Sequence, residues 1–289
     1  MFDLFEEIEQ KIHEMLEAFI TSNLTTMFTD VNEKTGTIAS EVGQTPQGWN
    51  SGIFSMIENL SGTVIIPIAG LIITFVLCYE LISMITEKNN MHEIDTWMFF
   101  KWVFKSGIAI YLVSHTFEIT MAVFDVGQHV VSAAAGVIGS DTSIDVASTI
   151  STIESSMEAM EIGELIQLAL ETAVISMCMK IISILITVIL IGRMIEIYIY
   201  TSIAPIPFAT LTNREWGQVG NNYLRGLLAL GFQGFFIMVI VGIYCVLVSS
   251  MTVASDIHSA LFSIAGYTVV LCFALFKTSG VSKSIFGAH

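Results

Sequence analysis

The side chains best suited to chemistry are two His-Glu pairs, four cysteines and a few charged residues set inside apolar runs. A zinc-hydrolase helix needs a second histidine four positions after the first, so that both imidazoles face one metal. "HEMLE" from His13 and "HEIDT" from His92 begin that pattern and lack the second histidine. Cys78, Cys178, Cys245 and Cys272 lie in apolar stretches without Cys-x-x-Cys spacing, which points to small core hydrophobes and away from a zinc site or a disulfide framework. There is no Gly-x-Ser-x-Gly elbow and no phosphate-cradling glycine loop, and "GVSKS" near the end is only superficially like one. The expectation is therefore no enzyme, with no catalytic residues, cofactor or metal.

What remains is charge in greasy surroundings. Lys180 lies within the apolar run 172 to 192, where a cation costs about 2.5–3.5 kcal/mol on insertion scales. Either it snorkels along its aliphatic stem, or it has a partner such as Glu118 or Glu171. Arg193, Glu196 and Tyr200 recur at helical spacing and form a polar stripe that a local ion pair explains equally well. Pro205 and Pro207 in "IAPIPFATLTNREW" cannot sit inside a regular helix, because each lacks an N–H and its ring clashes with the preceding turn.

The elements that must carry these residues are membrane helices. With 54% hydrophobic residues, 13% charged residues and a mean hydropathy of +0.75 over 289 residues, the chain has too little polar surface for a soluble globule. Apolar windows at 62–85, 103–124, 172–192, 226–249 and 257–276 give an all-α, polytopic integral membrane protein of about five transmembrane helices. The second window is the weakest, interrupted by Lys105, His115 and Glu118.

Direction follows from the cations, which favour the cytoplasmic side of short loops. Lys88, Lys101 and Lys105, then Arg193, Arg214 and Arg225, then Lys277 and Lys283 fall on one side, whereas residues 125–171 hold eight acids and no Lys or Arg. This places the N-terminus outside and the C-terminus in the cytoplasm. The acidic N-terminus has no secretory-signal pattern, so no removable targeting peptide is expected.

Four regions result. Residues 1–61 read as an extracytoplasmic amphipathic helix, its stripe running Phe5, Ile8, Ile12, Met15, Leu16, Phe19 and Ile20, followed by a polar linker over 30–52. Residues 62–124 hold two spans and a basic cytoplasmic loop, and 125–171 form an acidic outer loop. The start of that loop, "VGQHVVSAAAGVIG", is either a continuation of the second helix or a re-entrant piece. Residues 172–289 form a three-helix core with the Ala-Pro-Ile-Pro elbow and a short tail. Trp49 is expected at the outer headgroup level and Trp97, Trp102 and Trp216 at the inner one. Since Arg193 and "NREW" both carry inside signals, the stretch between them should leave and return to one face, packed against a neighbouring helix, another subunit or a pore. The alternative is a helix that simply ends at the surface. "RGLLALGFQG" offers small residues for close helix packing.

Arg193, the "IAPIPFATL" break, the "TNREWG" turn with Trp216 and the following "YLRGLLALGFQGFFIMVIVGIY" resemble the TrbL-like polytopic inner-membrane subunits of type IV secretion systems, equivalent to the sixth VirB-type component. The resemblance extends over roughly residues 60 to 280. It implies a homo-oligomeric membrane platform in conjugation, beside ATPases and other secretion-system membrane subunits, in contact with membrane lipids and only transiently with the DNA-relaxase substrate. The chain is similar to the compact versions of Gram-positive conjugative elements. A net charge of −15, concentrated outside, argues against tight DNA binding there and for a basic partner at Glu154, Glu158 and Glu161. A stand-alone channel or small-solute transporter using Lys180 and Glu118 is the competing reading.

Overall fold

The computed structural model describes residues 2–87, 96–138, 145–251 and 257–288. Lys88 and the His92, Glu93, Ile94 and Asp95 of "HEIDT" lie outside the described residues. Every regular element among them is helical: α1 (Phe2–Val42), α2 (Pro46–Trp49), α3 (Ser51–Leu60), a π-helical turn (Ser61–Ile65), α4 (Ile66–Glu87), α5 (Thr96–Ser114), α6 (Thr116–Ile138), α7 (Val146–Met157), α8 (Ile162–Ile203), α9 (Pro205–Thr210), α10 (Gly217–Met251) and α11 (Ile257–Phe286). Lipid offers no hydrogen bonds, so apolar chains of this length must close their backbone groups within each segment.

Among the described residues, five helices are long and apolar enough to cross a membrane: Ser51–Thr86, Thr116–Ile138, Ile162–Ile203, Gly217–Ser250 and Ile257–Phe286. The first joins α3 and α4 through the π-helical turn, which lies just before Pro67. That proline removes the N–H that Thr63 would otherwise receive, and the preceding turn widens. The second span is displaced from the expected 103–124. α5 and α6 meet at His115, where backbone bonds continue from His115 N–H to Tyr111 O (3.1 Å) and from Ile119 N–H to His115 O (3.0 Å). Lys105 stays on α5, where it pairs with Glu80, and the candidate span is α6, which carries Glu118 and Asp125 and takes in "VGQHVVSAAAGVI" as continuous helix.

The chain folds as two compact units. The first comprises Met1–Val42, Ser132–Leu190 and Ile237–Lys277. Here the expected linker is overturned, because α1 runs unbroken to Val42 and buries Ile20, Leu24, Met27, Phe28, Val31, Ile38 and Val42 along one stripe. The apolar positions of the first turns, Ile8, Ile12, Met15 and Phe19, stay exposed instead. Lys34 Nζ lies 3.5 Å from Thr187 Oγ1, and Cys245 Sγ donates to Thr35 Oγ1 at 3.5 Å, so α1 packs beside α8 and α10. Tyr244 and Thr268 share a buried hydroxyl bond of 2.8 Å between α10 and α11. Cys245 and Cys272 are buried as expected, but Cys78 and Cys178 are exposed. Those two face outward among side chains such as Leu71 and Val174, the surface a bilayer would cover.

The second unit comprises Gly43–Val131, Ile191–Phe236 and Thr278–His289. Its core joins Ala69 and Ile73 of α4, Ala109 and Val113 of α5, Phe124 of α6, Met194 and Ile197 of α8, Phe208 of α9, and Tyr223 and Leu227 of α10. α6 and α10 approach backbone to backbone: a Cβ on Gly127 would overlap the carbonyl of Gly231. Gly226 meets the Tyr200 ring, a Cβ there lying 3.0 Å from its hydroxyl oxygen. The small residues of "RGLLALGFQG" therefore do serve close packing. Trp49 is not far from the elbow, as opposite headgroup levels would require. Its ring centroid is 6.0 Å from that of Tyr198, whose hydroxyl donates to Pro46 O at 2.6 Å.

Candidate functional site

The proline segment is a built corner. α8 ends at Ile203, and the N–H of Ala204 reaches back to Thr201 O at 3.3 Å. Pro205 then opens α9 at its first position, where a missing N–H has no partner to lose and φ is already helical. Phe208 N–H bonds Ala204 O at 3.2 Å, and Leu211 N–H bonds Phe208 O at 3.2 Å. The Thr210 hydroxyl donates to Pro207 O (2.8 Å) and accepts the N–H of Gly220 (3.1 Å), tying the corner to α10. Gly220 is obligatory at that crossing, since a Cβ there would lie 2.6 Å from Pro207 O. Asn213, buried, accepts the N–H groups of Glu215 (2.8 Å) and Trp216 (2.9 Å) and so starts α10.

Covering this corner are α4 and α5. Pro205, Pro207, Phe208, Ala209 and Thr210 are all buried, packed against the Ala69 and Ile73 stretch in the first turns of α4. Irregular backbone at such depth is tolerated when protein covers it, and here the chain's own helices supply the cover. Its neighbours on α4, Ala69 and Ile73, fall in the middle of the candidate span Ser51–Thr86. Trp216 leaves toward the end of α4, stacking on Phe75 (5.4 Å) and Tyr79 (6.3 Å), while Tyr79 donates to Glu215 at 3.0 Å.

The other expected residues fall in separate places. Lys180 is exposed and makes no hydrogen bond or ion pair among the described residues; Glu118 is likewise exposed at the start of α6. Glu171, the other partner considered for Lys180, meets His258 Nδ1 at 2.5 Å. In the Arg193 stripe the local pair does not form: Glu196 takes Lys283 of α11 at 2.8 Å, and Tyr200 O accepts the Tyr223 hydroxyl at 2.7 Å. Arg193 is 7% exposed, and its Nε has no hydrogen-bond partner. Glu154 accepts the Thr21 hydroxyl at 3.4 Å. Glu158 and Glu161 line a cavity of about 780 Å³ with Glu6, Glu9, Glu14 and Glu17 of α1, beside His13, whose Nε2 lies 3.2 Å from Met160 O. This brings the two acidic segments into one unit. Sequence reasoning missed Gly220 and Asn213; Asn213 had a signal as the turn-type residue directly before "REW", whereas Gly220, inside the following helix, had none.

Comparison with known proteins adds one match. The family model described as TrbL/VirB6 plasmid conjugal transfer like protein matches residues 31–205. No curated protein and no solved structure matches the chain. The matched stretch ends at Pro205, so the "NREW" turn and the last two helices lie beyond it, and it begins well before residue 60, inside α1. Since it covers more than half of the chain, this multi-pass membrane protein belongs to the TrbL/VirB6 conjugal transfer-like family and is a component of a type IV secretion complex with other subunits.

Proposed function

We propose that the chain is a homo-oligomeric platform or channel subunit in the cell membrane that supports conjugative transfer of relaxase-linked single-stranded DNA, with the N-terminus outside and the C-terminus in the cytoplasm. It performs no catalysis itself; the secretion ATPases supply the energy. The observation that carries this reading is the elbow of a family member, closed by its own α4 and α5 as a rigid corner that fixes where α8 and α10 stand. Two groupings favour the sidedness. The acidic N-terminal helix and the acidic loop meet at His13–Met160 and Thr21–Glu154, while Arg225 and Lys283 near the tail meet Gly287 and Glu196. A small-solute transporter is disfavoured, because Lys180 and Glu118 are each exposed and unpaired among the described residues.

The test is Pro205→Ala with Pro207→Ala. Alanine lets α8 continue past Ile203 and pulls Phe208 from between α4 and α5, so membrane insertion should persist while transfer frequency falls at least about tenfold, the effect of roughly 1.4 kcal/mol. Unchanged transfer would sink the structural role of the corner.

A further inference from the structure

We propose that a cleft at the start of α10 binds the phosphate of an anionic lipid headgroup. The cleft has a volume of about 740 Å³ and is lined by Arg214, Trp216, Gln218, Asn221, Asn222 and Arg225. Four of these, Gln218, Asn221, Asn222 and Arg225, recur at i, i+3, i+4 and i+7, so they share one face of the first turns of α10. The opposite face carries buried Gly220, Tyr223 and Leu227. In a chain of net charge −15, two guanidinium groups and three amides converging on one concavity are against the trend of the whole sequence.

Their chemistry selects the ligand. Guanidinium forks match phosphate oxygens in pairs, and side-chain amides add neutral donors. Among the described residues Glu215 is the one carboxylate lining the cleft, and its Oε2 accepts the Tyr79 hydroxyl at 3.0 Å. A choline or ethanolamine headgroup would bring an ammonium that needs a free carboxylate. Phosphatidylglycerol brings a phosphate with no cation. The site is made by side chains: Asn213 already takes the N–H groups of Glu215 and Trp216 at the helix start. The positive end of the α10 dipole adds to the field. Arg225 is positioned by Gly287 O, which accepts from its Nη1 at 3.3 Å, and Gly287 itself has φ 63, the left-handed turn that ends α11.

Depth agrees. The elbow packs on Ala69 and Ile73, whereas Trp216 stacks on Phe75 and Tyr79, and the next residue of α4 is Glu80, paired with Lys105. The cleft thus opens where the second unit changes from apolar to charged side chains. That is the layer where headgroups lie and where Trp is enriched, and Trp216 is 42% exposed. Basic pockets among membrane helices are apt sites for anionic headgroups. The inference does not depend on DNA transfer, only on this level of the second unit meeting the bilayer surface, so its failure leaves the transfer reading standing.

The full chain is assembled in nanodiscs of equal phosphatidylglycerol and phosphatidylcholine, and the lipids it retains after release are counted by native mass spectrometry. Wild type is expected to retain phosphatidylglycerol over phosphatidylcholine by about tenfold, roughly 1.4 kcal/mol. Arg214→Gln with Arg225→Gln should bring the two lipids to parity, and Arg214→Lys with Arg225→Lys should fall between. Should the glutamine pair fail to fold, Gln218→Leu with Asn221→Leu, at exposed positions, should lower the preference in its place. Equal retention of both lipids by wild type, or an undiminished preference in the folded variants, overturns the site. Displacement of phosphatidylglycerol by millimolar inorganic phosphate overturns the lipid as its occupant.

Discussion

Arg193 is a buried cation in the second unit. An ion enclosed without a partner costs several kcal/mol even after relaxation, and among the described residues this guanidinium has neither an ion pair nor a hydrogen bond at Nε. Glu196, one turn along, is already engaged by Lys283. Folding alone gives no reason to keep an arginine there, so Arg193→Met separates stability from function. The variant should raise the thermal midpoint of the purified chain, by an amount on the order of 1–4 kcal/mol in stability, and lower transfer frequency if the guanidinium meets its partner only in the assembled complex. A lower midpoint would mean that the charge already has a counterpart within the chain. The sequence placed Arg193 at the end of an apolar run and joined it to Glu196. What it could not show is that α11 returns with Lys283 to claim that glutamate first, since the two lie 87 positions apart.

The elements were legible where apolar periodicity alone decides them. α8, α10 and α11 contain the windows read at 172–192, 226–249 and 257–276, and the prolines end α8 where their chemistry requires. Two elements were not. The segment 30–42 is rich in Gly, Ser, Thr and Asn and reads as linker, yet Val31, Ile38 and Val42 keep the helical spacing and find a groove to fill; tertiary burial outweighs weak propensity. The second window was read across 103–124, but the chain breaks it at His115: Lys101 and Lys105 stay on α5, and the candidate span is α6. Helix crossing was also invisible, because Gly127 and Gly231 belong to different runs. Their contact is unequal: a methyl on Gly127 overlaps the Gly231 carbonyl, while one on Gly231 meets Val123 Cγ1 at 3.2 Å, a side chain that can give. Gly127→Ala should therefore cost more stability than Gly231→Ala, about 2–3 kcal/mol against about 1 or less, the range for overpacking. Thermal unfolding of the two variants in one detergent checks the order.

At the scale of the molecule, charge is partitioned. The first unit holds seventeen carboxylates and four cations, a net of −13, and the second holds nine and seven, a net of −2. Six of those carboxylates, on α1 and on the segment between α7 and α8, surround a single cavity. Like charges gathered this closely destabilise the unit that carries them, a cost that the proposed basic partner at the proposed outer face would offset. Reversing two of them tests both halves of the argument. Glu158 and Glu161 are both exposed, so a longer side chain fits at either position without disturbing the packing. Glu158→Lys with Glu161→Lys should therefore raise the thermal midpoint by a few degrees, roughly the effect of 1 kcal/mol in a chain of this size. The gain should shrink as salt shortens the Debye length from about 10 Å at 0.1 M to about 3 Å at 1 M. The same variant should lose pull-down of the outer secretion components. A midpoint that drops, or a gain indifferent to salt, would show that the carboxylates are spaced widely enough to ignore one another. Relief of repulsion accompanied by undiminished pull-down would place the basic partner elsewhere.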